Sequence, residues 1–182
     1  MEHEKSVFKE LLGWIVYIFV VVGLTYLIIT FVGQRTRVSG QSMETTLHDG
    51  DNLIVDKISY RFRDPERYDI IVFPYRFENN VFYIKRIIGL PGDTVQIKEG
   101  KVFIDGEELG ENFGNELMTD PGIAADPIEL GEDEYFVLGD NRNHSADSRK
   151  ENVGILHREE LLGRAWIRIW PFDQFGVIRH GE

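Results

Sequence analysis

From Leu11 to Gln34 the chain carries no charged side chain, and Ile15 to Val32 is dominated by Val, Ile, Leu and Phe. At 1.5 Å rise per residue, about 20 such residues cross a hydrocarbon core of roughly 30 Å. A cleavable leader would have a shorter apolar core and would close on small residues such as Ala-x-Ala. This run is longer and closes with Thr30-Phe31-Val32-Gly33-Gln34-Arg35. The expectation is a transmembrane anchor over residues 11–33, in preference to a leader or a buried soluble helix. It follows a polar segment, 1–10, and leaves 34–182 as the domain outside the bilayer. Trp14 alone sits where an interfacial belt is expected. Lys5 and Lys9 on one side face Arg35 and Arg37 on the other, so the positive-inside rule gives no orientation.

After Gln34 the period changes. Asn52–Val55, Asp69–Phe73 and Val81–Ile88 are short β-branched and aromatic runs bounded by Gly, Pro, Asp or Asn, as strands are. Thr94–Lys98 and Lys101–Asp105 alternate around Glu99-Gly100 and read as a hairpin. Glu134–Leu138 and Arg164–Ile169 add two strands, and a short helix is expected near His157–Leu162. The fold class is therefore mostly β, a single N-terminal transmembrane helix followed by an all-β domain, a closed barrel or a sandwich. Glu107 to Asp133 is acidic and weakly periodic, and reads as a long excursion or lid.

The chain of 182 residues has no cysteine, which excludes disulfides, thiol nucleophiles and zinc ribbons. A net charge of −11 argues against nucleic acid as a partner. No histidine pair has helix spacing and Asp49-Gly50-Asp51 is too sparse for a calcium loop, so no metal and no cofactor are expected.

Five histidines are present, and nothing local marks any of them as the base of a serine triad. A lysine can serve as base only when neutral. At its reference pKa about one in 2,500 is neutral at pH 7, and burial can lower that pKa by up to 3–5 units. Lys85 lies in an apolar strand between Ile84 and Ile87-Ile88, with Arg86 beside it. The strand alone leaves open a buried base and an edge lysine that blunts aggregation.

Four blocks follow the anchor in order: Ser39-Gly40-Gln41-Ser42-Met43-Glu44-Thr45-Thr46-Leu47; Tyr68-Asp69-Ile70-Ile71-Val72-Phe73; Tyr83-Ile84-Lys85-Arg86-Ile87-Ile88-Gly89-Leu90-Pro91-Gly92-Asp93; and Gly139-Asp140-Asn141-Arg142-Asn143-His144-Ser145-Ala146-Asp147-Ser148-Arg149. This ordered set resembles the type I signal peptidases, membrane-bound Ser–Lys proteases, and the short domain with one anchor is similar to their Gram-positive members. The resemblance implies Ser42 as nucleophile and Lys85 as general base. It implies that the Ser145 hydroxyl orients the lysine, that Asp147 and Arg149 brace the site, and that Gly139, Asp140 and Asn141 shape the turn behind it.

Val38, Met43, Leu47, Tyr83 and Ile84 fall where such enzymes bind substrate. The implied partners are secretory preproteins with small, Ala-x-Ala-like residues before the cut, together with the lipid bilayer. The implied location is a cell membrane, N-terminus inside and catalytic domain outside. Three positions depart from the family pattern. Gly40 stands where some members have a serine oxyanion donor, Thr45 where proline is usual, and Tyr68 where glycine is common.

Overall fold

A computed structural model describes residues 2–27, 33–111, 113–114 and 116–181. It opens with a helix, α1, over Glu2–Leu27. The helix takes in the polar segment 1–10 from Glu2 onward, and the last part of the expected anchor, 28–32, lies outside the described residues. Lys9–Tyr26 is long and apolar enough to cross a membrane, and none of this stretch is buried against protein. A soluble core helix would hide such a face. This one leaves Leu12, Ile15, Phe19 and Val22 exposed.

The rest is mostly β. The strands are β1 Gly33–Arg37, β2 Asn52–Asp56, β3 Ile70–Pro74, β4 Phe82–Gly89, β5 Thr94–Lys98 and β6 Lys101–Ile104, then β7 Glu107–Glu108, β8 Ile128–Glu129, β9 Glu134–Leu138, β10 Leu156–His157, β11 Gly163–Trp170 and β12 Gly176–Val177. Eight form one sheet in the order β1-β2-β11-β3-β4-β9-β10, with β12 on β11, and four form a second, β7-β6-β5-β8. All described pairings are antiparallel. The large sheet does not close on itself among the described residues, since β1 and β10 end the path. The expected closed barrel is accordingly not what these strands form.

The expected strands occur within a residue or two of their sequence limits. Glu99 and Gly100, with φ of 53° and 74°, make the tight turn between β5 and β6, the backbone that suits right-twisted strands. The expected helix near His157–Leu162 is one 3-10 turn over Arg158–Glu160. Leu161 is already extended there, and Leu162 N–H donates to Val72 O, so packing against β3 ends the turn. The acidic excursion is tied down. Met118, Ala124 and Leu130 are buried under the second sheet with Val95, Ile97 and Val102.

β4 is the strand that matters for chemistry. It pairs with β3 along Phe82–Arg86, but β9 joins its other side only from Arg86 onward. Between Phe82 and Lys85 that edge is unpaired, and the segment following β1 comes up to it.

Candidate active site

The segment after β1 is fixed at both ends by burial. Val38, Met43 and Leu47 are in the core beside Leu53, Val72 and Ile84. The backbone between them turns tightly, with Thr46 and Leu47 N–H both donating to Met43 O at 2.8 Å. Gly40 has φ +92°, a backbone that a side chain would strain, and its N–H donates to Asp49 Oδ1 at 2.8 Å. This is why a glycine suits the position where a serine could have supplied a second donor. Ser42 stands at the top of the turn, and its N–H donates to no backbone carbonyl.

The turn brings Ser42 Oγ to 2.8 Å from Lys85 Nζ. The same nitrogen donates to Ile84 O at 2.9 Å and lies 5.1 Å from the centre of the Tyr83 ring. Lys85 is only 4% exposed, and no carboxylate among the described residues touches it. Burial pushes its pKa down to about 8, against a weaker upward pull from Asp147 and Asp140. The edge-lysine alternative therefore does not describe it.

The Gly-Asp-Asn-Arg turn backs the Ser42 segment. Asn141 N–H donates to Ser42 O at 3.0 Å, and its side-chain amide donates to Gln41 O at 3.1 Å. A Cβ on Gly139 would lie 2.5 Å from Ser42 O and closer still to Ser145 Oγ, so only glycine fits between them. Asp147 and Arg149 form a buried two-point pair, 2.8 and 2.9 Å, and Asp147 also accepts from Gly139 N–H at 3.1 Å. Arg149 further donates to Arg142 O, and Arg142 is paired with Glu111 from the acidic excursion.

Two expected placements differ. Ser145 Oγ is buried without any hydrogen-bond partner among the described residues, so it does not hold Lys85, whose contacts go to Ser42 and Ile84. Leu47 is completely enclosed in the core and does not line the cleft beside Ser42. That cleft, about 270 Å³, is walled by Val38, Ser42, Met43, Tyr83, Ile84 and Lys85 among others. His144 lines it too, but the 2.8 Å contact with Ser42 belongs to the amine.

Sequence reasoning missed the brace on Arg86. It is fully buried and paired at two points with Asp140, 2.8 and 2.7 Å. Thr46 Oγ1 donates to Asp140 Oδ2 at 2.6 Å. Arg86 also donates to Tyr68 O at 3.0 Å and to His180 O, and lies 3.7 Å from the centre of the Phe113 ring. A guanidinium inside an apolar strand needs a counter-ion, and that was the available signal. Thr46 ties the turn past the nucleophile, whereas Thr45 is exposed. Tyr68 has φ +75°, which explains the usual glycine there.

The sequence family described as signal peptidase, peptidase S26, matches residues 11–170. The chain belongs to that family. A probable signal peptidase I-2 of Synechocystis is 44% identical over 154 residues, 82% of this chain and 68% of that protein. A signal peptidase I of Leptolyngbya laminosa is 42% identical, over 82% of this chain and 74% of its own. The signal peptidase I of Bacillus licheniformis is 36% identical over 187 residues, 96% of this chain and 97% of its own. Family membership makes the chain a serine endopeptidase. It places the cleft between β4 and the Ser42 turn within the matched region.

Proposed function

We propose that this peptidase cuts leader peptides from secreted preproteins with Ser42 as nucleophile and Lys85 as its base. The observation that carries the reading is the 2.8 Å contact between the Ser42 hydroxyl and a buried amine without a carboxylate partner. With a pKa of about 8, roughly one Lys85 in ten is neutral at pH 7. Neutral Lys85 takes the hydroxyl proton as Ser42 Oγ bonds to the scissile carbonyl carbon. The Ser42 N–H is free to receive the oxyanion. Collapse breaks the C–N bond, and the Lys85 ammonium returns its proton to the leaving amine. Lys85, neutral again, then takes a proton from water, which hydrolyses the acyl-enzyme.

The preprotein lies as an extended strand along the unpaired edge of β4 at Phe82–Lys85, its backbone pairing there. Val38, Tyr83 and Ile84 close round small side chains and give the Ala-x-Ala preference. Asp147 and Arg149 hold the Gly139 turn, and Ser145 fills the space beside it. α1 is the membrane anchor with its N-terminus inside, and residues 34–182 work outside, where leaders are presented. The test is cleavage of a precursor with an Ala-x-Ala leader by the full chain in detergent. The parent should cut, and Ser42→Ala and Lys85→Ala should not. Normal cutting by Lys85→Ala would sink the dyad, and a parent that only binds the leader would be a tethered binding protein.

A further inference from the structure

Gly33 is the first residue of β1, immediately past the apolar run, and it pairs with Asp56 on β2. Antiparallel partners have Cα atoms about 5 Å apart, and the next residue along lies about 3.8 Å further. Lys57 therefore stays within roughly 10 Å of Gly33, the first described residue past the apolar run. Beyond it Asp56 Oδ1 accepts from the N–H groups of Ile58, at 2.8 Å, and Ser59, at 3.0 Å, and folds the turn over Ser59–Arg61.

This turn forms one wall of a wide cleft of about 610 Å³. Lys57, Arg61 and Arg158 line it, with Leu161 and Leu162 as its apolar part and Glu159 as its single carboxylate. Arg158 is held rigid. Its guanidinium donates to Tyr60 O at 2.6 Å and Arg63 O at 3.1 Å, lies 5.4 Å from the centre of the Tyr60 ring, and is 3.5 Å from the exposed Asp64. Lys57 and Arg61 are in no ion pair among the described residues.

The chain as a whole carries −11, which an anionic bilayer repels. Three cations, one of them paired with Asp64 outside the cleft, thus line it against one carboxylate, close to where the chain leaves the apolar run. We infer that this cleft holds the phosphate headgroup of an anionic phospholipid in the leaflet where the anchor emerges. Lys57 and Arg61 supply the free charge, Arg158 a fixed one, and the two leucines meet the start of the acyl chains. The inference rests on the anchor reading of α1, and not on the dyad.

The test uses the full chain in mild detergent with equimolar phosphatidylglycerol and phosphatidylcholine, and native mass spectrometry to count the lipids retained. The parent should retain phosphatidylglycerol in preference. Lys57→Gln with Arg61→Gln should lower that preference by about fivefold for each cation removed. Lys57→Arg with Arg61→Lys should keep it. Lys98→Gln with Lys101→Gln removes the same charge from the β5–β6 hairpin and should change nothing. An unaltered preference in the Lys57/Arg61 double variant, or an equal loss in the hairpin control, would overturn the inference. So would displacement of the lipid by an equal concentration of inorganic phosphate, which would make this a free-anion site. Detergent phase partition of the same sample scores the anchor: recovery in the aqueous phase removes it, and the inference with it. Leader cleavage is read separately, so the peptidase reading stands or falls apart from this one.

Discussion

Lys85 and Arg86 are neighbours on β4, both buried cations, and the fold treats them in opposite ways. Asp140 meets Arg86 at two points, and carbonyls and a ring complete its surroundings. Lys85 is buried as deeply but receives a hydroxyl, a carbonyl and no carboxylate. Its charge is the thing that gives way, and the pKa falls to about 8. One residue of register thus separates a cation met by a carboxylate at two points from an amine that meets none among the described residues. A buried cation is a brace or a base according to whether a carboxylate is supplied.

The contrast breaks hardest at Arg86. Arg86→Met leaves Asp140 buried and unpaired, and thermal unfolding should show a loss of about 3–5 kcal/mol. Arg86→Met with Asp140→Leu should recover much of that, because the stranded charge is gone. A single-variant loss below about 1 kcal/mol would mean that the pair is not what holds β4 to the Asp140 turn.

Lys85→Met should move stability the other way. The group's pKa is about 8 in the folded chain and 10.5 in the reference state. Between those values the unfolded chain binds more protons, so Lys85's contribution to stability rises with pH across that window. Below about 8 the cost is present in full, with a ceiling of about 3 kcal/mol. Lys85→Met should therefore be inactive yet more stable than the parent at pH 7, and should lose the parent's rise in stability between pH 8 and 10.5. In the parent, kcat/KM should climb with pH and level off above about 8. A limb near 6.5 would point instead to an imidazole, with His144 the candidate in the cleft.

The smallest effect sharpens the same comparison at the nucleophile turn. Thr46→Val removes the 2.6 Å bond to Asp140 and should cost about 1–2 kcal/mol in unfolding experiments. Thr45→Ala, at an exposed side chain, should stay within about 0.5 kcal/mol of the parent. Equal effects at both positions would show that Thr45 also restrains the turn.

The Ser42–Lys85 contact was legible because each half sits in an ordered block, whereas the strand around Lys85 by itself left its burial open. Most strands were legible for the same reason, since alternation and bounding Gly or Asp report local geometry. β1 was not. Gly33-Gln34-Arg35-Thr36-Arg37 has no apolar alternation and is a strand only because β2 pairs with every one of its residues. Arg86's partner was out of reach as well, because Asp140 lies 54 positions away and nothing local in either segment names the other. Ser145 marks a different limit. Its position in the block could be read, but which hydrogen bond its hydroxyl makes depends on atoms the block does not contain.

The Arg86 guanidinium takes its last acceptor from His180, 94 positions further on. Ser42 and Lys85 are only 43 positions apart, so both partners of that contact precede the carbonyl in the chain. Contacts of such separation form late, since loop closure must come first. Without that carbonyl the Arg86 guanidinium would be short of one acceptor, while the 2.8 Å contact between Ser42 and Lys85 would keep both of its partners.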